Sequence, residues 1–372
     1  MTLPEGWRET SLSSVVLARS GNSSIIKGRN SATPSPGLIQ GYSASGPDVW
    51  VEEAEHHGPG VVVSAVGARC GKAFLADGDW AAIANTHVLI PKPCLDPKFL
   101  WYLVNDEHFW VRSGSAQPFL KVKASLARAI SLPPLIEQRR IVEILEEHLS
   151  RLYAAESYLL TATTRNANFI LASLANLLTS PDSRETRFSD ILIPAAAPRG
   201  HVDVRTAGSE GRWPVVDQGG GSAAVRSDDE DAVYHGPFPV IAFGDHTRRF
   251  KKLDEEFAIG GTGVKLLLPA DGVSAEFAYW ALRNTRLRAR GYGRHFALLR
   301  ASTLRIGDAQ FQSSVVTAMN EVTDAHSRVN EGIRAQQSRS GALRRALLHA
   351  AFSGQLTGRP DDLDRAEEFV SA

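Results

Sequence analysis

The stretch HGPGVVVSAVG, residues 57–67, returns as HGPFPVIAFGD at residues 235–245, 178 residues further on. A Gly-Pro turn feeding a run of β-branched residues is a common way into a buried strand, so one echo alone would carry little weight. The echo extends in both directions. WRETSLSSVV (7–16) resembles SRETRFSDIL (183–192), THVLIP (86–91) matches VKLLLP (264–269), and PKFLWYLVN (97–105) matches AEFAYWALR (275–283). FLKVKAS (119–125) returns as FALLRAS (296–302), and EQRRIVEILEEHL (137–149) as FQSSVVTAMNEVT (311–323). The offset drifts only from 174 to 178 residues across these matches. One unit of about half the chain, duplicated in tandem with small loop insertions, accounts for the order and the drift.

Within each unit the hydrophobic period changes. The first part, residues 1–131 and again 183–305, has short Val/Ile/Phe-rich runs broken by Gly, Pro, Asn and Asp, with a helix expected at Pro97–Asn105 and in its copy. That pattern predicts an α+β domain with a twisted, turn-rich sheet. The second part, residues 132–182 and 306–357, is helical. Apolar residues recur at Ile141, Leu145, Leu152 and Leu159, with Val142 and Leu149 beside them, and the copy places Val315, Met319, Val322, Val329 and Ile333 on the same stripe. Steps of three and four sustained over several turns predict a coiled-coil seam, and about 40 helical residues span about 60 Å. His326 falls on that seam and reads as a polar residue setting register between helices. Residues 358–372 form an acidic tail.

Composition bounds the function classes. The 372 residues carry 41 basic and 41 acidic side chains, so no global field draws the chain to nucleic acid or membrane, and any such binding must come from local patches. Two cysteines, Cys70 and Cys94, are too few for a disulfide framework and fit a reducing compartment. No apolar run approaches bilayer length and no signal-peptide pattern opens the sequence, which leads us to expect a cytoplasmic protein without membrane contact. Glycine-rich phosphate loops, HExxH, EF-hand and GxSxG motifs are all missing, and GGTGVK at Gly260 reads as a hairpin turn. No catalytic role or metal site is therefore expected of this chain by itself.

Charge gathers locally. From Phe277 to Gly307 there is no acidic residue, while seven arginines accumulate. Arg288, Arg290 and Arg294, around the GYG at Gly291, form one basic candidate for an anionic partner. The other in this unit is GDHTRRFKK, with His246, Thr247, Arg248, Arg249, Lys251 and Lys252. The first unit has Arg69 and Lys72 between Gly67 and Gly71, in a turn where cations can approach phosphates, with Arg112, Lys121 and Lys123 as weaker counterparts of the arginine run.

Four phrases together resemble the specificity (S) subunit of Type I restriction-modification systems: LPEGWRETSLSSVV from Leu3, LPPLIEQRRIVEILEEHLSRLYAAE from Leu132, VIAFGDHTRRFKKLDEEFAIG from Val240 and LRRALLHAAFSGQLTGR from Leu343. The resemblance covers nearly the whole chain, including the duplication. The second helix departs from it, beginning IGDAQFQSSVV where the family shows another Leu-Pro and Glu-Gln. The resemblance implies two tandem α+β target recognition domains, each reading half of a bipartite site on double-stranded DNA. They would be separated by two long antiparallel coiled-coil helices, with pseudo-twofold symmetry. It further implies two modification (methyltransferase) subunits that dock on the helices and bring S-adenosylmethionine for adenine methylation, and restriction subunits as further partners that bring ATP-driven translocation and cleavage. The chain itself would be noncatalytic and hold no cofactor. The charged helix residues Glu137, Arg139, Arg140 and Glu143 are candidates for contact with the modification subunits. The competing expectation is a protein interaction scaffold that kept the helices and lost DNA reading.

Overall fold

The computed structural model describes residues 3–114, 117–219, 225–288, 291 and 293–357. The chain divides into two compact units, Met1–Tyr158 with Gln336–Ala372, and Leu159–Ala335. Each is α+β, and the two have the same strand topology.

In the first unit one sheet runs Val16–Ser20, Thr86–Pro91, Gly60–Ser64, Ala73–Ala76, with every neighbour antiparallel. A second sheet runs Gly46–Val51, Ile39–Ser43, Asp79–Ala82, His56–His57, and its central pair is parallel. The second unit repeats both. Leu192–Pro194, Val264–Pro269, Val240–Gly244 and Phe250–Leu253 form the antiparallel sheet. Arg226–Ser227, Trp213–Val216, Phe257–Ile259 and Val233–Tyr234 form the other, again with a parallel central pair. A two-stranded ribbon closes each unit, Arg8–Ser11 on Ala129–Leu132 and Arg184–Arg187 on Thr303–Ile306. The repeated HGP phrases thus lead into the same inner strand.

That strand is buried on both faces, which is why it reads as a continuous β-branched run instead of an alternating one. Val61 and Val63 face a core shared with Phe99, Leu100 and Leu132, while Val62 faces another with Trp80 and Val88. In the copy, Ile241 and Phe243 face Phe188 and Leu282, and Val240 and Ala242 face Phe257 and Leu266. GGTGVK does not make a hairpin. Phe257–Ile259 and Val264–Pro269 lie in different sheets, so the glycines carry the chain between layers.

Two long helices complete the fold, Leu135–Leu178 and Ala309–Ser353. Both expected short helices form too, Pro97–Val104 capped by the Asp96 carboxylate and Ala275–Arg283 capped by the Ser274 hydroxyl. A glutamine clamps each short helix to the start of a long one. The buried Gln138 accepts from the Asp96 N–H at 2.7 Å and donates to the Cys94 and Pro133 carbonyls, both at 2.9 Å. Gln312 accepts from the Ser274 N–H at 2.8 Å and donates to the carbonyls of Gly272 at 3.1 Å and Gly307 at 3.2 Å. Both clamps satisfy loop carbonyls and a cap N–H that burial would otherwise leave unpaired. The second long helix lacks the proline entry of the first and is capped instead by Asp308, whose carboxylate accepts from the Phe311 N–H at 2.8 Å.

Within each unit the long helices run antiparallel. In the first, Ile141, Val142, Leu145 and Leu149 pack with Leu347, Ala350 and Ala351, and Ser340 donates to Glu156 at 2.9 Å. In the second, Ile170, Leu174 and Leu178 pack with Phe311, Val315 and Met319. There the seam turns polar at one level. Asn166 donates to the His326 carbonyl at 3.2 Å and to Asn330 Oδ1 at 3.1 Å, and His326 Nδ1 lies 3.2 Å from the Asn166 carbonyl. His326 therefore does set register. Val329, expected on the stripe, is instead 47% exposed, because His326 and Asn330 take the inward positions of that turn. No helix among the described residues is long and apolar enough to cross a membrane.

Replacing Gln138 with Ala removes three hydrogen bonds and leaves a buried N–H and two carbonyls unpaired, so we expect a loss of about 2–4 kcal/mol, measured by urea denaturation followed by circular dichroism. Gln312→Ala should cost a similar amount, while a change on the exposed side of the helix such as Arg140→Gln should cost less than about 0.5 kcal/mol.

Candidate nucleic-acid interface

The two basic candidates of each unit are separated in sequence and adjacent in the fold. In the second unit GDHTRRFKK is the hairpin between Val240–Gly244 and Phe250–Leu253. Its tip is held by Gln218, whose side chain accepts from the His246 N–H at 2.9 Å and whose carbonyl accepts from the Thr247 hydroxyl. Arg248 sits in the left-handed region at φ 60°, a conformation that costs a non-glycine residue energy and that the surrounding bonds impose. Its guanidinium donates to the Leu287 carbonyl at 2.9 Å.

The second tie is Asp245. Only 2% exposed, its carboxylate accepts from the His295 and Phe296 N–H groups, both at 2.7 Å. Asp245 thereby fastens residues 295–296, next to Arg294, to the base of the hairpin. Arg249, Arg288 and Arg294 are exposed, with no side-chain partner among the described residues. Arg290 lies outside the described residues. Three guanidinium groups carried on mutually anchored loops make a concentrated positive surface suited to phosphate oxygens.

Lys251 and Lys252 lie apart from this tip, on the strand beyond it. Lys251 pairs with Asp217 at 3.3 Å, and Lys252 with Asp254 at 2.9 Å and Glu276 at 3.1 Å. Their charges are balanced inside the unit, so the four cations counted in sequence reduce to two at the turn.

The first unit repeats the arrangement with fewer charges. VGARCGKAF is the hairpin between Gly60–Ser64 and Ala73–Ala76, and it is tied to the other candidate segment through Leu120 N–H to the Ala65 carbonyl at 3.0 Å and Gly67 N–H to the Pro118 carbonyl at 2.9 Å. Arg69 is exposed but directed back, donating to the Ser45 carbonyl at 2.7 Å over the Phe74 ring. Lys72 is exposed beside Gly71, where a Cβ would come within 3.2 Å of the Arg112 guanidinium. Arg112 belongs to a ribbon with Phe119–Leu120, which brings Lys121 and Lys123 to the same side; both are exposed.

Of the helix candidates, Glu137 turns inward. Its carboxylate accepts from Trp7 Nε1 at 2.9 Å and from the Thr357 hydroxyl at 2.6 Å, so it fastens both ends of the first unit to the helix. Arg139, Arg140 and Glu143 stay on the exposed side, the last two paired at 3.5 Å. A different feature stands out on the same helix. From Leu159 to Leu178 the only charged residue is Arg165, yet Leu160 is 67% and Leu171 50% exposed. Eleven residues are close to three turns, so these two leucines stand in line beside the seam. Periodicity assigns leucines to the core; the missing charge is the signal for a covered flank.

Residues 51–159 match the family model of the Type I restriction modification DNA specificity domain. Among solved structures, a chain of a type I R-M system studied for complex assembly and conformational transition superposes with a TM-score of 0.75 at 16% identity, covering 96% of this chain and all (100%) of that one. The HsdS subunit from Thermoanaerobacter tengcongensis gives a TM-score of 0.50 at 16% identity, covering 96% of this chain and 99% of that one. No curated protein matches. Residues 51–159 thus resemble the DNA specificity domain of Type I restriction-modification systems, and the chain shares its fold with these two solved structures.

Proposed function

We propose that the chain is the noncatalytic DNA-reading subunit of a cytoplasmic Type I restriction-modification complex, and that its two α+β parts each read one half of a split site. The observation that carries this is the repeated anchoring of two basic segments against each other at equivalent places in both units. A scaffold has no need to hold Arg248 in a strained conformation or to bury Asp245 as a fastener for the residues next to Arg294. Unpaired guanidinium groups at such a turn position the protein on phosphates, and neighbouring side chains then meet base edges.

Splitting the site has a physical reason. One good bidentate contact discriminates by about 1–3 kcal/mol, so a few base pairs per domain fall short of genome-level specificity, whereas two linked readers nearly add their discrimination. The long helices, 44 and 45 residues, would set the gap between the half-sites. Two modification subunits would supply S-adenosylmethionine and extrude the target adenine, and restriction subunits, where the complex includes them, the ATP-driven steps. We assign docking of a modification subunit to the flank marked by Leu160 and Leu171, with Arg139, Arg140 and Glu143 at the periphery of a contact nearer the helix start.

Co-expression with the modification subunit should place methyladenine at a motif of two short halves separated by an invariant gap, read by methylome sequencing; an unsplit motif or none would overturn the proposal. Arg249→Glu with Arg294→Glu should weaken duplex binding across sequences and flatten the dependence of log affinity on log salt by about 2, as expected for two lost phosphate contacts. Gel-shift titration of the complex from low to moderate salt measures it, and a salt-independent affinity would favour the scaffold. Leu160→Asp with Leu171→Asp should abolish co-purification of the modification subunit while leaving the circular dichroism spectrum of this chain unchanged.

A further inference from the structure

The internal repeat permits a position-by-position comparison of the two helix seams, and at one level they differ in chemistry. In the second unit, Ile170 and Leu174 pack against Trp280, closing the space between the long helix and the short one. At a spacing of 174 residues, the positions of Ile170, Leu171 and Ala175 are occupied in the first unit by Arg344, Arg345 and His349, and at a spacing of 178 that of Trp280 by Tyr102. The space does not close there. It is a cleft of about 890 Å³ within the first unit, with Tyr102, Phe109, Leu348 and Phe352 on its apolar side. Lys72, Arg128, Arg344 and Arg345 line it as cations, and among the described side chains Asp106 is the one carboxylate in the lining.

Partners inside the cleft leave most of this charge available. Arg128 donates to the Phe109 carbonyl at 2.7 Å, and Arg344 stacks over the Tyr153 ring at 5.3 Å; neither contact neutralises a charge. Burial and the neighbouring Glu146 push the Tyr102 hydroxyl up to about 12, so it stays a neutral donor. A ligand for this cleft has to be anionic, extended and partly apolar.

The chain supplies such a segment. Ser353 lines the cleft, and the following residues are pinned close by, with Leu356 buried and Thr357 bonded to Glu137. Next in sequence comes PDDLDRAEEFV, residues 360–370, with five carboxylates, one arginine and the apolar Leu363, Phe369 and Val370. These residues lie outside the described ones. An extended chain covers at most about 3.3 Å per residue, so the reach from Thr357 to the first carboxylate of the sequence is at most about 15 Å. We propose that the cleft receives this acidic segment of the same chain, its carboxylates on Lys72, Arg344 and Arg345 and its apolar residues on Phe109 and Phe352. The occupied cleft would withhold these cations from DNA; that consequence rests on the DNA-reading proposal, whereas the docking itself does not.

The test compares the full chain with a variant carrying Asp361→Asn, Asp362→Asn, Asp364→Asn, Glu367→Gln and Glu368→Gln, both freed of nucleic acid. Phenylglyoxal modification read by mass spectrometry should label Arg344 and Arg345 at least about fivefold faster in the variant, since several ion pairs of modest individual strength are lost together. Carbodiimide treatment should join Lys72 to the 361–368 carboxylates within one chain. Equal labelling rates in the two proteins overturn the proposal. So does a Lys72 crosslink found only between two chains, or protection that appears in both proteins on adding duplex DNA and in neither without it. Each of these outcomes is independent of whether the complex methylates a split motif.

Discussion

The fold depends on a constraint that burial imposes on two glutamines. A loop enters each short helix next to the start of a long one, and its carbonyls and cap N–H cannot reach water there. Gln138 and Gln312 each make three hydrogen bonds to these groups. Backbone groups left unpaired in such a place cost about 1–3 kcal/mol each, comparable to a large part of a domain's net stability. Only a side chain with both a donor and an acceptor on one planar group can satisfy a carbonyl pair and an N–H at once. This seating also bears on the basic loops, because the short helix packs against the sheet whose hairpin carries them.

Around the two clamps the copies have diverged by a consistent rule. The glutamine clamps are retained, while the groups around them vary in kind. Glu137 in the first copy bonds Trp7 and Thr357, while Phe311 at the same place in the second packs on Phe277 with ring centroids 6.0 Å apart. One helix opens with prolines and the other with the Asp308 cap. The hairpin tips are fastened by backbone bonds in one copy and by the Asp245 carboxylate in the other. Divergence of this kind is what two readers of different half-sites require: a common frame with unlike tips.

Much of this was legible in the sequence. The echo at residues 57 and 235 located an inner strand of the antiparallel sheet in each unit, and the apolar stripe from Ile141 to Leu159 with its copy located the long helices. What escaped was set by partners distant in sequence. Lys251 and Lys252 look identical to Arg249 in a one-dimensional count, yet Asp217 reaches Lys251 from 34 residues away, and Glu276 joins the neighbouring Asp254 on Lys252 from 24 residues away. Val329 carried the apolar character of the stripe, but the seam at that level is fixed by Asn166, which no periodicity marks. Glu137 read as surface charge because its partners lie 130 and 220 residues away. Hydrophobic period reports burial averaged over turns; it cannot report which polar group has found a buried mate.

The balanced formal charge of the chain acquires a physical meaning at this point. Forty-one cations and forty-one anions cancel in the far field, so the protein has no long-range pull toward every phosphate in the cell. Ion pairs such as those of Lys251 and Lys252 cancel much of the charge locally as well. Uncompensated charge remains at the tips, where Arg249, Arg288 and Arg294 are exposed with no side-chain partner among the described residues. At physiological ionic strength the Debye length is about 8 Å, so charges elsewhere on the surface contribute little to such an encounter. Under the proposed function, a reader built this way would give up non-specific affinity, and its binding would depend on several contacts being made together. That is the condition under which two weak half-sites outcompete the many partial matches of a genome.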